Sequence, residues 1–377
     1  MDAATFEYLR RRFEEYYRTA SFKMPPAIEQ REWGFIFFEP DGEVRMRRHI
    51  GFGSKSEVEA YVRSMVPRHA YHSTAYYELP SASTMQEKGW SGADLIFDLD
   101  ADHIIRGAYD VMLARVKEET FKLLDMLTEE LGFLNRDISI VFSGGRGYHI
   151  HVRNLETRQW GSPERRELVD YVCGIGMDPE FMLGRGRNSG WSARYRSAVL
   201  EYFDELLKME DRKSAIKSVG ALKGIGDPSA ESFIGSLKAT SKKIRNPDKD
   251  VPVTGTLKKV LEQEEGPLVE KIRERAALTD EPVTTDIKRL IRMPGSLHGG
   301  SGFRVVPLTV SDLEGFDPLV DAVVYGESPV KIDLSFALTM TILGNTYPLE
   351  KGINTVPEAL AVFLCARGAA RYAGSGR

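Results

Sequence analysis

Asp94-Leu-Ile-Phe-Asp98-Leu-Asp100-Ala-Asp102-His103 is the stretch that most constrains this chain. Apolar residues alternate with acidic ones, so the stretch has the period of a strand. Leu95, Phe97 and Leu99 share one face, while Ile96, Asp98 and Asp100 share the other. Same-face neighbours on a strand lie roughly 6.6–6.8 Å apart at the backbone, so two carboxylates can swing inward and share a divalent cation. Adjacent acids repel and raise each other's pKa unless a counter-charge intervenes. Hard Mg²⁺ or Mn²⁺ suits carboxylate oxygen. An acidic pair alone also fits a solvated strand end entering a loop, so the rest of the chain must decide.

At 377 residues the chain is long enough for one large or two ordinary domains with a real core. With 42% hydrophobic and 28% charged residues it is globular rather than disordered. A formal net charge of −4 means that any contact with nucleic acid comes from local basic patches. Two cysteines, Cys173 and Cys365, exclude a disulfide framework and a Cys-rich metal site, and fit a reducing compartment. The acidic, helix-like N-terminus does not read as a signal peptide. No apolar run reaches the length of a membrane span.

Periodicity predicts an amphipathic helix over 4–19, then strands over Arg31–Phe38 and Glu43–Phe52 joined by a Pro40-Asp41-Gly42 turn. Ser54 and Glu57 form a capping box for a helix to about Val66. A strand over Tyr71–Leu79 precedes the acidic one. A helix over Ala108–Gly132 follows it, ended by glycine. Ile138–Phe142 is a buried strand. Residues 162–240 are mostly helical, Ser241–Val253 is a polar link, and a helix covers about 255–277. The expectation is an α/β (α+β) body with a mixed sheet, made from 1–160 and 250–377, carrying a mainly helical subdomain at 161–249.

Two further stretches carry chemistry. Ser143-Gly-Gly-Arg146-Gly-Tyr-His149-Ile-His151 leaves the buried strand. Its glycines let backbone amides approach an anion, and Arg146 can fork onto phosphate oxygens. His149 and His151 share a strand face. Without these side chains the segment would read as a tight β-turn. Downstream, Asp280 precedes a compact basic block: Lys288, Arg289, Arg292, His298 and Arg304. That block also fits a solvated basic helix end.

Together the three stretches resemble the catalytic small subunit of the archaeal and eukaryotic replicative DNA primase. The family pattern is an Asp-x-Asp strand, then Ser-Gly-x-Arg-Gly-x-His, then a third Asp upstream of a basic residue and a Ser-x-His turn. Here it reads Asp98-Leu-Asp100, Ser143–His149, Asp280, Arg292 and Ser296-Leu-His298. Arg31-Glu-Trp-Gly-Phe35, Arg48-His-Ile-Gly-Phe52 and Ser189-Gly-Trp-Ser-Ala-Arg194 also look like family segments, so the resemblance covers essentially the whole chain.

The resemblance implies that Asp98, Asp100 and Asp280 hold Mg²⁺ or Mn²⁺ for nucleotidyl transfer. It also implies that Ser143, Arg146, His149, Arg292 and His298 bind the nucleoside triphosphate, with Arg48 near the nucleotide or primer end. His151 receives no definite role. Many family members carry a Cys/His zinc knuckle after the acidic strand. This chain has no cysteine there and only His103 as a ligand, so no structural zinc is expected. Implied partners are the primase large subunit, single-stranded DNA template, RNA or DNA primer and nucleoside triphosphates, with no membrane and a cytoplasmic, nucleoid-associated, archaeal setting. Arg185, Arg187, Arg194 and Arg196 are expected to face template DNA, with a solvated helical surface as the other reading. The alternatives are a primase-polymerase of repair or of a mobile element, and an inactive nucleic-acid-binding scaffold.

Overall fold

The computed structural model describes residues 1–39, 43–101 and 107–375. The expected Pro40-Asp41-Gly42 turn, Asp102 and His103 lie outside them. The chain forms two compact units. One comprises Met1–Thr120, Phe133–Arg166 and Thr279–Arg377; the other comprises Phe121–Gly132 and Glu167–Leu278. The first mixes helices with antiparallel sheets and the second is helical, so the class is α+β. Among the described residues no helix is long and apolar enough to cross a membrane.

Two four-stranded antiparallel sheets position the acidic strand. The first is ordered β2 (Met46–Ile50), β1 (Trp33–Ile36), β3 (His69–Ser73), β9 (Leu290–Arg292). The second is ordered β10 (Val306–Leu308), β7 (Ile138–Phe142), β8 (Gly147–Val152), β6 (Leu95–Asp100). The apolar face of the helix Ala3–Thr19 supplies Phe13 and Tyr17 to a core with Trp33, Phe35, Val58 and Val62. Burying each such aromatic side chain contributes on the order of 1.5–3 kcal/mol. The expected strand over Tyr71–Leu79 splits into β3 and β4 (Ala75–Tyr77), which pairs with β5 (Trp90–Ala93) in a separate ribbon. The break falls at Thr74, whose amide donates to Arg289 O while its carbonyl accepts from Asp94 N.

The C-terminal segment forms a sheet of β14 (Gly352–Pro357), β11 (Pro329–Leu334) and β15 (Ala370–Ser375), with a hairpin of β12 (Leu338–Ile342) and β13 (Asn345–Leu349). Every residue of the helix Ala359–Ala366, after its first residue Glu358, is buried.

In the helical unit, Tyr195, Val199, Phe203, Phe233 and Leu237 build the core. This unit runs to Leu278 rather than ending near 249, because Val260, Leu261 and Leu268 pack into that same core. The helix expected over 255–277 is two short ones, Gly255–Leu261 and Pro267–Arg273. They are separated at Gly266, whose φ of +119° no helix continues through. Arg196 corrects the sequence reading. Rather than facing solvent, it is buried and donates to the carbonyls of Leu183, Gly184, Arg187 and Ile244, tying loop to helix. Arg194 is ion-paired with Glu130 and Asp125. Arg185 and Arg187 remain exposed, Arg187 lying over Phe181.

Candidate active site

The register between β6 and β8 builds the site. Asp98 stands opposite His149 and Asp100 opposite Gly147. The alternation along β6 therefore puts both acids on one face beside the histidine, while Leu95, Phe97 and Leu99 fill the core. Gly147 has to be glycine: a Cβ there would lie 2.0 Å from Leu99 O. His149 Nε2 approaches Asp98 Oδ1 to 3.4 Å, and Arg146 Nε lies 3.9 Å from Asp100 Oδ1. Asp280 comes to the same strand from far along the chain. Its amide donates to Asp98 O at 2.9 Å, and Thr279 Oγ1 donates there too.

Burial pushes the Asp98 carboxyl up to about 7, and the charges of Asp100 and Asp280 push in the same direction against Arg289 and Arg292. Clustered carboxylates raise one another in this way, and a divalent cation held among them would act in the opposite direction. Among the described residues no three His, Cys, Asp or Glu side chains converge as a ready-made ligand set. The donor chemistry nonetheless fits a hard divalent ion: three carboxylates in mutual repulsion, with no soft ligand among them.

The loop between β7 and β8 is folded on itself as a cradle. Ser143 N donates to Gly147 O, and Gly145 N donates to Ser143 Oγ at 3.2 Å. Gly144 takes a φ of +75°, and a Cβ there would meet His298 Cβ at 2.7 Å. Ser301 Oγ pins the loop from the other side by donating to Gly144 O. His298 Nδ1 accepts from Gly300 N at 3.1 Å, so a neutral ring carries its proton on Nε2, the nitrogen that faces Gly145. Burial, Arg292, His69, Arg146 and Arg367 hold this imidazole well below its ordinary pKa. Arg292 donates to His69 Nδ1 at 2.7 Å and to Tyr71 Oη at 3.2 Å, which fixes its guanidinium.

Asp98, Asp100, Ser143, Arg146, His149, Arg292 and His298 line one cleft of about 420 Å³. Arg48 does not line it. It lines an adjoining cleft of about 400 Å³ that shares Asp98, His149 and Arg292 as its wall and adds Tyr71, Asp286, Lys288 and Arg289. Its guanidinium is clamped by Glu32, with Nε 3.0 Å from Oε1 and Nη2 3.3 Å from Oε2. Glu32 is itself fully buried and also accepts from His49 N. Asp280 is not in the lining of either cleft, but its charge reaches the Asp98 carboxyl. Sequence reasoning missed Glu32, His69, Tyr71 and Arg367. Glu32 lies within the Arg31–Phe35 segment already singled out. The other three carry no local signal, because only strand pairing and the C-terminal helix bring them here.

His72, His149 and His151 form a buried row, with ring centroids 6.4 Å apart at each step. Burial, with Arg31 adding to it, depresses His72 from 6.5 to about 3, and burial holds His151 well below its usual value. The unfolded chain therefore binds protons that the folded chain refuses. The stability held above pH 6.5 is lost as pH falls from there toward 3, by up to ~1.4 kcal/mol per pH unit per histidine. His72→Phe is expected to flatten the acid side of the stability profile, read as the urea midpoint from pH 7.5 down to 4.5. An unchanged slope would show that His72 does not carry this proton linkage.

A family model described as DNA primase small subunit matches residues 97–310. The chain is 54% identical to the DNA primase small subunit PriS of Methanoregula boonei, over 99% of this chain and all of that one. It is 52% identical to that of Methanosphaerula palustris, over 99% of each chain. Against that of Methanocorpusculum labreanum it is 50% identical over 99% of this chain and all of the relative. Asp98 and Asp100, the glycine-rich cradle, Asp280 and the whole basic block lie within 97–310, the match to the relatives covers 99% of the chain, and the chain belongs to the DNA primase small subunit family.

Proposed function

We propose that this chain is the catalytic subunit of a primase that makes short RNA or DNA primers on single-stranded DNA. A 3′-hydroxyl attacks the α-phosphorus of a nucleoside triphosphate. The new phosphodiester bond forms as the bond to the β-phosphate bridge breaks, pyrophosphate leaves, and the hydroxyl proton passes to solvent. The observation that carries this reading is the single cleft in which Asp98 and Asp100 face Arg146, Arg292, His298 and the Ser143–Gly145 cradle.

Asp98, Asp100 and Asp280 are the residues that would hold Mg²⁺ or Mn²⁺, which when bound supplies activation of the attacking hydroxyl and neutralises charge on the leaving oxygen. The chain's own groups do the rest. Arg292, fixed by His69 and Tyr71, and Arg146 offer guanidinium forks to phosphate oxygens. His298 Nε2–H donates from the cradle wall, and glycine at 145 leaves that nitrogen uncrowded, since a Cβ there would press on it at 3.2 Å. His149, neutral in its buried place, orients the Asp98 carboxylate through Nε2. Arg48 serves the adjoining cleft, held by Glu32 for a nucleotide or primer end. A large-subunit partner belongs to this reading, and a structural zinc does not.

Incubation with single-stranded template, labelled nucleoside triphosphates and Mg²⁺ or Mn²⁺, with and without a large subunit, is expected to yield short labelled oligonucleotides. Extension of an annealed primer without initiation would make the chain a polymerase core that needs its partner to start. No incorporation under any of these conditions would overturn the proposal.

A further inference from the structure

The cleft has one more cation that no motif supplies. Arg367 lines it together with Gly145, Arg146, His298 and Gly300. It lies well beyond the stretch matched by the family model. Its backbone is fixed by the end of the buried helix: Gly368 turns at a φ of +75°, with Gly368 N donating to Cys365 O and Ala369 N to Leu364 O. Its guanidinium lies over the rings of Tyr109 at 5.1 Å and Phe363 at 5.4 Å. Those rings are themselves packed edge to face at 5.2 Å, and Phe363 stacks on Phe303. Tyr109 Oη donates to Gly145 O at 2.5 Å, so the aromatic shelf under Arg367 is tied to the phosphate cradle.

Stacking occupies the flat face of a guanidinium and leaves its N–H edge free to donate. Among the described residues no carboxylate pairs with Arg367. An exposed, oriented guanidinium thus lines the cleft with Arg146 and His298. We infer that Arg367 binds the terminal phosphates of the incoming nucleotide and the pyrophosphate that leaves. This rests on the primer-synthesis reading above. A triphosphate tail fits better than a DNA backbone phosphate. The neighbours of Arg367 are a glycine-rich loop and a half-buried histidine donor, which suit a compact polyanion rather than a passing strand.

The test compares the full chain with Arg367→Ala, Arg367→Gln and Arg367→Lys on an annealed primer–template. Gln retains most of the stem that covers the rings, so it separates charge from packing, and thermal melting confirms that each variant folds. Losing a charge-assisted contact weakens binding on the order of tenfold or more, so Ala and Gln are expected to raise both KM for the nucleotide and the inhibitory concentration of pyrophosphate by that factor. The Kd for primer–template should be unchanged, and Lys should recover part of the loss. Calorimetric binding of inorganic tripolyphosphate should weaken in parallel, and this readout does not require incorporation. Unchanged KM, pyrophosphate inhibition and tripolyphosphate affinity would overturn the inference. So would a selective loss of primer–template affinity with a shallower salt dependence, which would place Arg367 on the DNA backbone. A wild-type chain that binds tripolyphosphate through Arg367 yet incorporates no nucleotide, with or without a large subunit, would sink the primase reading and leave Arg367 only as a polyphosphate-binding residue.

Discussion

Asp98→Asn is expected to lower nucleotide incorporation by at least about 10³-fold while leaving the fold intact. The substitution keeps the side chain's shape at its place opposite His149 but removes the charge that would hold a divalent ion. Asp100→Asn and Asp280→Asn are expected to be comparably severe, and the double replacement little worse than either single one, because residues that act as a unit lose their effect together. Stability should move the other way. The Asp98 carboxyl is half-buried and faces the charges of Asp100 and Asp280, so a neutral amide relieves repulsion, and the melting temperature should hold or rise. Added Mn²⁺ should raise the melting temperature of the wild type, since whatever binds only the folded state stabilises it. It should do so much less in Asp98→Asn. Extension rates within tenfold of wild type would remove Asp98 from the chemistry. An unaltered Mn²⁺ response in the variant would remove it from metal binding.

The site was legible in the sequence where local periodicity determines geometry. An alternating strand can place Asp98 and Asp100 only on one face. The short glycine-rich connection from β7 to β8 can return only as an antiparallel neighbour, bringing His149 level with Asp98. Asp280, Arg292 and His298 were reachable because they sit in an ordered pattern, although nothing local shows that they meet the strand. What stayed hidden depends on distant pairing. Arg48 looks like one more free cation until β1 and β2 pair and bring buried Glu32 against it. Arg196 looks like part of a basic surface until the carbonyls of Leu183, Gly184 and Ile244 converge on it. Arg367 has no neighbours in sequence that mark it. Its role comes from a helix whose burial against the C-terminal sheet no charge pattern announces.

Arg31→Met is expected to destabilise the sheet-bearing unit by about 3–5 kcal/mol, the cost of leaving a buried charge without its partner. Arg31 is fully buried and donates to the carbonyls of Pro26, Ser73 and Thr74 and to Asp94 Oδ2 at 2.9 Å. Its guanidinium lies 3.6 Å from the centroid of the Tyr76 ring, whose hydroxyl donates to the other oxygen of Asp94. Arg153 Nε stands 3.5 Å from the carboxylate, too far to replace the lost contact. Asp94 is the residue from which β6 starts, and its carbonyl and that of Ala93 are held by buried Arg165. Loss of Arg31 therefore loosens the root of the strand that carries Asp98 and Asp100, and incorporation should fall with stability rather than independently of it. The double variant Arg31→Met/Asp94→Leu removes both charges, and should recover more than half of the lost urea resistance. If Arg31→Met unfolds at the wild-type urea concentration, the pair does not hold this joint. If the double variant is weaker than the single one, the carbonyl contacts of Arg31, not its charge on Asp94, are what the strand depends on.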